Sequence, residues 1–296
     1  MVDDASTDDS AARAARHACT LVRADQNGGP GAARNLGVRH AKGDVIFFID
    51  ADMIMYPDAI ENAVALLSGP RRYGAVFGVP DKVPLLPEGP IGQYRILQYH
   101  YWRASAQGEV SGGFYALGAV TREAFDAAGW FNPALSQTEE IDHAERLSRR
   151  YPMLLTSRIS GRLSDESHLA PLLGKAFRRS RLRVPFYLRR GRPMQGMETG
   201  GRAAASVLAL LTLLSLPVAV LYPPILAGTA LLLAAFVAVD IGQYAFVRRE
   251  QGWPFVAFFT AVHLLLNATV ATGLAVGAVN WLASARFRRM YERTAS

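Results

Sequence analysis

Three apolar runs, 203–222, 225–239 and 254–285, hold no Asp, Glu, Lys or Arg. The second continues past Asp240 into another apolar piece, 241–247. Each run is read as able to cross a hydrocarbon layer of ~30 Å, so helices are expected and an ordinary soluble domain is excluded for this part of the chain. Just upstream, Lys175, Arg178, Arg179, Arg181, Arg183, Arg189, Arg190 and Arg192 alternate with Phe177, Leu182, Val184, Phe186, Tyr187 and Leu188. Such a basic-aromatic run suits nucleic acid. Its place beside the apolar runs argues instead for an interfacial segment on anionic lipids, with no nucleic-acid partner. Much of the net charge of +7 sits there.

The arginines also orient the chain. The basic run marks the cytoplasmic side, the uncharged Tyr222-Pro223-Pro224 turn the outer side, and Arg248-Arg249-Glu250 a return. The third run breaks this pattern. A single crossing would leave Arg286, Arg288, Arg289 and Arg293 outside, so a kinked hairpin or an interfacial helix is the alternative. His263 and Asn267, spaced i, i+4, share a face toward other helices or headgroups.

Ahead of the basic run the composition is that of an α/β domain. Val45 to Ile49 form an uninterrupted apolar run that reads as a strand buried on both faces, as in a parallel sheet. It stops at Asp50-Ala51-Asp52. In extended geometry the two carboxylates point the same way, at the end of the strand where open α/β sheets bind ligands. A divalent cation, Mg²⁺ or Mn²⁺, would relieve their repulsion. A polar strand-to-loop turn is the plainer alternative.

Further elements are expected around it. A helix over 31–41 follows the Asn27-Gly28-Gly29-Pro30 turn, and its amino end could hold a phosphate, although a simple Gly/Pro turn explains it too. Helices are expected over 57–67, 91–104, 122–128 and 138–150, and strands over 20–23, 75–79, 116–120 and 153–156. Tyr94, Gln98, Tyr101 and Trp102 on the aromatic helix could line an acceptor groove or pack in the core. Glu139, Glu140 and Asp142 open the 138–150 helix, where the helix dipole alone accounts for acids. One cysteine, Cys19, excludes an intrachain disulfide. The acidic opening, 1–10, is unlike a secretory signal peptide.

Taken in order, Val2-Asp3-Asp4-Ala5-Ser6-Thr7-Asp8, Asn27-Gly28-Gly29-Pro30-Gly31-Ala32-Ala33-Arg34-Asn35-Leu36-Gly37, Asp50-Ala51-Asp52, Gly118 to Phe125, Gly129-Trp130-Phe131 and Thr138-Glu139-Glu140 resemble the family 2 glycosyltransferases with their GT-A fold. The resemblance covers about residues 1–170 and implies roles by position. Asp4 would contact the nucleotide base, and Arg34 and Asn35 would sit in the nucleotide-side motif. Asp50 and Asp52 match the DxD pair, with Asp52 on the metal that bridges the diphosphate. Glu140 matches the catalytic base. Glu140 stands where the family's Thr-Glu-Asp motif carries its Asp, so the base is one methylene longer, with Glu139 or Asp142 as substitutes. The family's pattern begins with a strand and helix ahead of the Val-Asp-Asp motif, so the chain is expected to be truncated at its amino end.

The expected architecture is therefore a GT-A-like, mostly parallel α/β domain over 1–172, lacking its first strand. A basic interfacial segment follows over 173–202, then two or three transmembrane helices over 203–285 and a basic tail over 286–296. The resemblance implies a membrane-bound, inverting, Mn²⁺- or Mg²⁺-dependent hexosyltransferase of the cell envelope. It would move a sugar from a nucleotide-sugar donor to a glycan or polyprenyl-linked acceptor, from the cytoplasmic side of the plasma membrane. A catalytically inactive scaffold of the same fold and a nucleotidyltransferase are the competing readings.

Overall fold

The computed structural model describes residues 1–191, 195–196 and 200–292. Arg192 of the basic run and Arg293 of the tail lie outside the described residues. The chain opens with β1 (Val2–Asp3), α1 (Ser10–Ala14), β2 (Val22–Arg23), α2 (Gly29–His40), β3 (Val45–Ile49) and β4 (Met53–Met55). Then come α3 (Ala59–Leu67), β5 (Ala75–Gly78), α4 (Pro90–Ala104), β6 (Gly108–Glu109) and β7 (Leu117–Thr121). Helices α5 (Arg122–Ala128) and α6 (Glu139–Ser148) precede β8 (Met153–Thr156) and β9 (Gly161–Leu163). The remainder is helical: α7 (Leu169–Arg190), α8 (Gly200–Leu221), α9 (Leu226–Val239), α10 (Ile241–Ala283) and α11 (Ala285–Arg288).

An α/β domain with a central sheet, followed by helices, is what the sequence leads one to expect. The strand directions differ from expectation. The central sheet has the order β3-β7-β5-β8-β6. Of its hydrogen-bonded pairs only β5–β8 is parallel, because β7 returns between β3 and β5 and pairs antiparallel with both, and β6 pairs antiparallel with β8. The sheet is mixed, not mostly parallel. A separate parallel pair joins β1 to β2. Strand β3 is an edge strand of its sheet. Ile46 and Phe48 are buried, Val45 and Phe47 half-buried and Ile49 exposed, so its burial alternates.

Two cores sandwich the sheet. Phe48, Phe77, Tyr115, Phe125 and Phe131 pack on one face with Ala144 and Leu147 of α6. Val76, Leu117, Ala119 and Ile96 fill the other with Ala59 and Ala63 of α3. Period-two alternation along β5 and β7 supplies both. Thr121 caps α5 by accepting from Ala124 N at 3.2 Å, which fixes where β7 turns into helix.

Helices α8 and α9 form a hairpin whose tip carries Pro223 and Pro224. Away from its base the hairpin is apolar and uncovered. Val220 and Leu221 are 81% and 85% exposed, and Leu214 and Leu231 are likewise exposed. Helix α10 breaks at Gly252, where φ of 77° is cheap only for glycine, two residues before Pro254. Beyond the break it lies along α7. A Cβ at Gly277 would stand 2.6 Å from the Arg181 carbonyl, so glycine is what lets the two backbones touch.

Both ends of the α10 region touch the α/β domain. Gln243 accepts from Trp102 of α4 at 3.3 Å, and Tyr291 packs with Ile141 of α6 and donates to Leu182 O. Gly200–Leu221 and Ile241–Ala283 are long and apolar enough to cross a membrane, by length and composition. The 14 residues of α9 span about 21 Å at 1.5 Å per residue, short of a full crossing. Two cations of the basic run face inward: Lys175 pairs with Glu166 at 2.5 Å and Arg190 with Glu145 at 2.9 Å.

Candidate active site

Asp50 and Asp52 do not continue the strand. Met53 N donates to Asp50 O at 3.2 Å, so the two carboxylates sit on a tight turn between β3 and β4, and the extended geometry expected for the pair ends at Ile49. The turn lies at the carboxyl end of β3. Opposite it, α6 begins with Glu139 and Glu140, whose carboxylates stabilise its first turn.

Arg34, on the second turn of α2, joins these elements. Its Nη2 donates to Asp50 Oδ1 at 3.1 Å and to Glu140 Oε1 at 2.5 Å, and its Nη1 to Glu139 Oε1 at 3.1 Å. The side chain is 10% exposed. Burial works against its charge, but Glu140, Asp50 and Glu139 together hold the guanidinium far above its ordinary value. Glu139 is itself buried, and loss of water with Glu140 alongside raises its pKa. One Arg against three acids leaves the cluster negative.

Asp52 faces solvent and has no cationic partner within ion-pair distance among the described residues. Partial desolvation, Asp50 and Asp165 raise its pKa. That is the environment a divalent cation would relieve. Among the described residues no group of three or more His, Cys, Asp or Glu is arranged to hold a metal. The protein therefore offers one or two hard oxygens, a donor set that fits Mg²⁺ or Mn²⁺ when a diphosphate and water complete the shell.

The remaining expected site residues, Asp4, Asn35 and Asp142, each contact other groups of the protein. The Asp4 carboxylate accepts from Gly28 N at 3.0 Å and Gly29 N at 2.7 Å, so it caps the amino end of α2. Asn35 is buried, donating to Phe131 O and accepting from Phe131 N, which pins α2 to the loop before α6. Its amide is spent on that backbone and does not reach the cluster. Asp142 points to Arg146 at 3.1 Å rather than to Arg34, and burial raises its pKa despite that partner.

Two residues escaped the sequence reading. His143, one turn past Glu139, is fully buried, bonds Tyr115 Oη at 2.5 Å and stacks on Phe131 at 4.3 Å. Burial holds it neutral, well below the usual histidine range. Arg103 of α4 lies between the rings of Tyr99 and Phe114, 4.3 and 3.8 Å from their centroids. It makes no ion pair among the described residues, and burial lowers its pKa to about 10, with Glu140 and Asp165 near enough to oppose the shift. The spacing of Tyr99 and Arg103, i and i+4 on one helix, was the only sequence signal for it.

Residues 1–113 match the family model described as Glycosyl transferase family 2. No curated protein matches the chain. Among solved structures, the mannosyltransferase PcManGT from Pyrobaculum calidifontis, in complex with GDP-Man and Mn2+, aligns with 98% of this chain and 75% of its own length. The identity is 20% and the TM-score 0.49. Over residues 1–113, then, the chain is similar to glycosyl transferase family 2.

Proposed function

We propose that the chain is a membrane-attached, inverting glycosyltransferase that moves a hexosyl group from a nucleotide-sugar donor to a hydroxyl of a glycan or lipid-linked acceptor. The observation that carries the reading is the convergence of Asp50, Glu139 and Glu140 on Arg34, beside the turn that presents Asp52. Glu140 accepts the proton of the acceptor hydroxyl. The acceptor oxygen forms its bond to the anomeric carbon as the bond from that carbon to the diphosphate oxygen breaks, and the electron pair leaves on the diphosphate. One displacement inverts the centre.

Arg34, shared with Asp50 and Glu139, holds the Glu140 carboxylate in place at the start of α6. Asp52, with Asp50, would hold the divalent cation, which when bound offsets the charge of the leaving diphosphate. Arg103 supplies a fixed positive charge on the α4 side of the cleft.

Membrane attachment rests on the uncovered apolar hairpin of α8 and α9, with α7 as the interfacial helix. With both ends of α10 against the α/β domain, Arg286, Arg288 and Arg289 share a side with Arg248 and Arg249. This arrangement supports the positive-inside expectation and reads α10 as lying along the domain. The domain then faces the cytoplasm. Release of nucleoside diphosphate from a panel of nucleotide sugars, together with flotation of the full chain on vesicles, tests both parts. No release from any donor overturns the first, and a chain that stays in the soluble fraction overturns the second.

A further inference from the structure

Arg103, next to the last residue of α4, makes no ion pair among the described residues and only one hydrogen bond. That bond is long, from Nη1 to the Tyr99 carbonyl at 3.5 Å. Its Nε and Nη2 are unbonded yet still reached by solvent, although the residue as a whole is only 8% exposed. Holding a guanidinium there without an acceptor is costly, and the faces of Tyr99 and Phe114 return only part of that cost.

A second cation reaches the same ring from α7. Arg179 Nη1 donates to Tyr99 Oη at 3.5 Å, and its Nε is buried with no hydrogen-bond partner. The residue is half-buried and makes no ion pair among the described residues. The neighbouring cations are spent. Arg95, stacked 3.6 Å from the Tyr99 centroid, pairs with Asp165 at 3.1 Å, and Lys175 pairs with Glu166 and Asp165. Arg103 and Arg179 are therefore the two positive charges beside Tyr99 left without a carboxylate.

Their position relates them to the base. Arg103 is close enough to Glu140 for the two charges to interact. A neutral sugar offers the two guanidinium groups no charge to pair with. A phosphate offers oxygens that both can share, and Arg is the side chain suited to that geometry. Arg179 belongs to the helix read above as interfacial, so a phosphate between α7 and α4 can stay joined to a chain in the bilayer.

We propose that Arg103 and Arg179 bind a phosphate group carried by the acceptor itself, beside the hydroxyl that Glu140 deprotonates. The acceptor is then a phosphate-linked lipid and not a neutral glycan. This rests on the transferase reading above and adds no chemical step to it. The two arginines anchor the acceptor, and the Asp52 turn serves the donor.

The test is binding by the full chain in detergent. Farnesyl phosphate and farnesol probe the acceptor side, and UDP and GDP with Mn²⁺ probe the donor side. Farnesyl phosphate is expected to bind at least about tenfold tighter than farnesol, the worth of one charge-assisted hydrogen bond. Arg103→Met should weaken farnesyl phosphate by about 10–100-fold, and Arg179→Gln should weaken it by at least about threefold. Neither should change farnesol or nucleoside diphosphate binding. Arg103→Met removes an unpaired buried charge, so its unfolding midpoint should hold or rise. A merely structural arginine would lower the midpoint and weaken both farnesyl probes alike, which overturns the site. Equal binding of the two probes, or wild-type affinity for farnesyl phosphate in both variants, also overturns it. Loss of nucleoside diphosphate affinity in the variants would give the arginines to the donor's diphosphate instead. Nucleoside diphosphate release from sugar donors separates the two proposals. A chain that releases it without preferring farnesyl phosphate keeps the transferase reading and loses this site. A chain that prefers farnesyl phosphate but releases nothing keeps the phosphate site and loses the transferase reading.

Discussion

Arg34 and Glu140 stand 2.5 Å apart although 106 residues separate them in the chain. Because the same guanidinium bonds Asp50 at 3.1 Å, it ties the end of β3 to the start of α6. Arg34→Met leaves Glu139, Glu140 and Asp50 without their shared cation and should cost about 3–5 kcal/mol of stability, the usual cost of orphaning a buried charge. Arg34→Lys keeps the charge but cannot fork to three acids. It should fold and still lose most activity. Urea titration of both variants checks this, and Glu139→Gln in the Arg34→Met background should recover part of the stability. A silent Arg34→Met would show that the cluster holds nothing together.

Glu140→Gln keeps the size of the side chain and one hydrogen bond to Arg34 but removes the base. Transfer to a hydroxyl acceptor should fall by about 10²–10⁴-fold. Donor affinity should stay within error, because the loss arises only in the transition state. Steady-state kinetics with calorimetric donor titration separate the two. A matched fall in donor affinity would make Glu140 a binding residue.

Asp52→Asn should abolish the dependence of donor binding on Mn²⁺ or Mg²⁺. Its effect on the fold has the opposite sign from that of Arg34→Met. The folded-state pKa of Asp52 is raised, so at neutral pH its ionised form works against folding. The variant should therefore unfold at the same temperature as the wild type or slightly higher. Metal-dependent donor binding that survives the substitution would remove Asp52 from the metal.

His143 makes a prediction about acid. It is buried neutral, and its folded pKa lies well below the ordinary value near 6.5. The unfolded chain therefore binds a proton that the native chain refuses. Stability is full above pH ~6.5 and falls as pH drops below it, by up to about 1.4 kcal/mol per pH unit for one proton. His143→Phe should start less stable, because Tyr115 loses its partner, but its stability should fall less steeply between pH 6.5 and 5. Denaturant midpoints across that window decide, and equal slopes would exonerate the histidine.

Local signals were legible where they are local. The β3 run, the α5 helix and the apolar helices all follow from composition and period. Strand direction did not, because a hydrophobic run carries no sign of which neighbour it meets; β7 was readable as a strand but not as the antiparallel wedge between β3 and β5. Strands β4 and β9, of three residues each, are too short for a period. The resemblance named Asp50, Asp52 and Glu140 by position, and the bonds that Asn35 and Asp4 make to backbone depend on where the Phe131 loop and the Gly28 amides fall in space. Arg34 was named for its motif alone. Its three acidic partners became visible only when α2, β3 and α6 met.

The central claim is that this chain transfers sugar from a nucleotide donor using Asp52 and Glu140. The direct measurement is nucleoside diphosphate release by the full chain in membranes, with UDP-, GDP- and dTDP-sugars, Mn²⁺ and a membrane lipid extract as acceptor source. The account predicts release with at least one donor, with chelator or Asp52→Asn abolishing it and Glu140→Gln reducing it by about 10²–10⁴-fold. Release that survives both substitutions, or none from any donor, would contradict it.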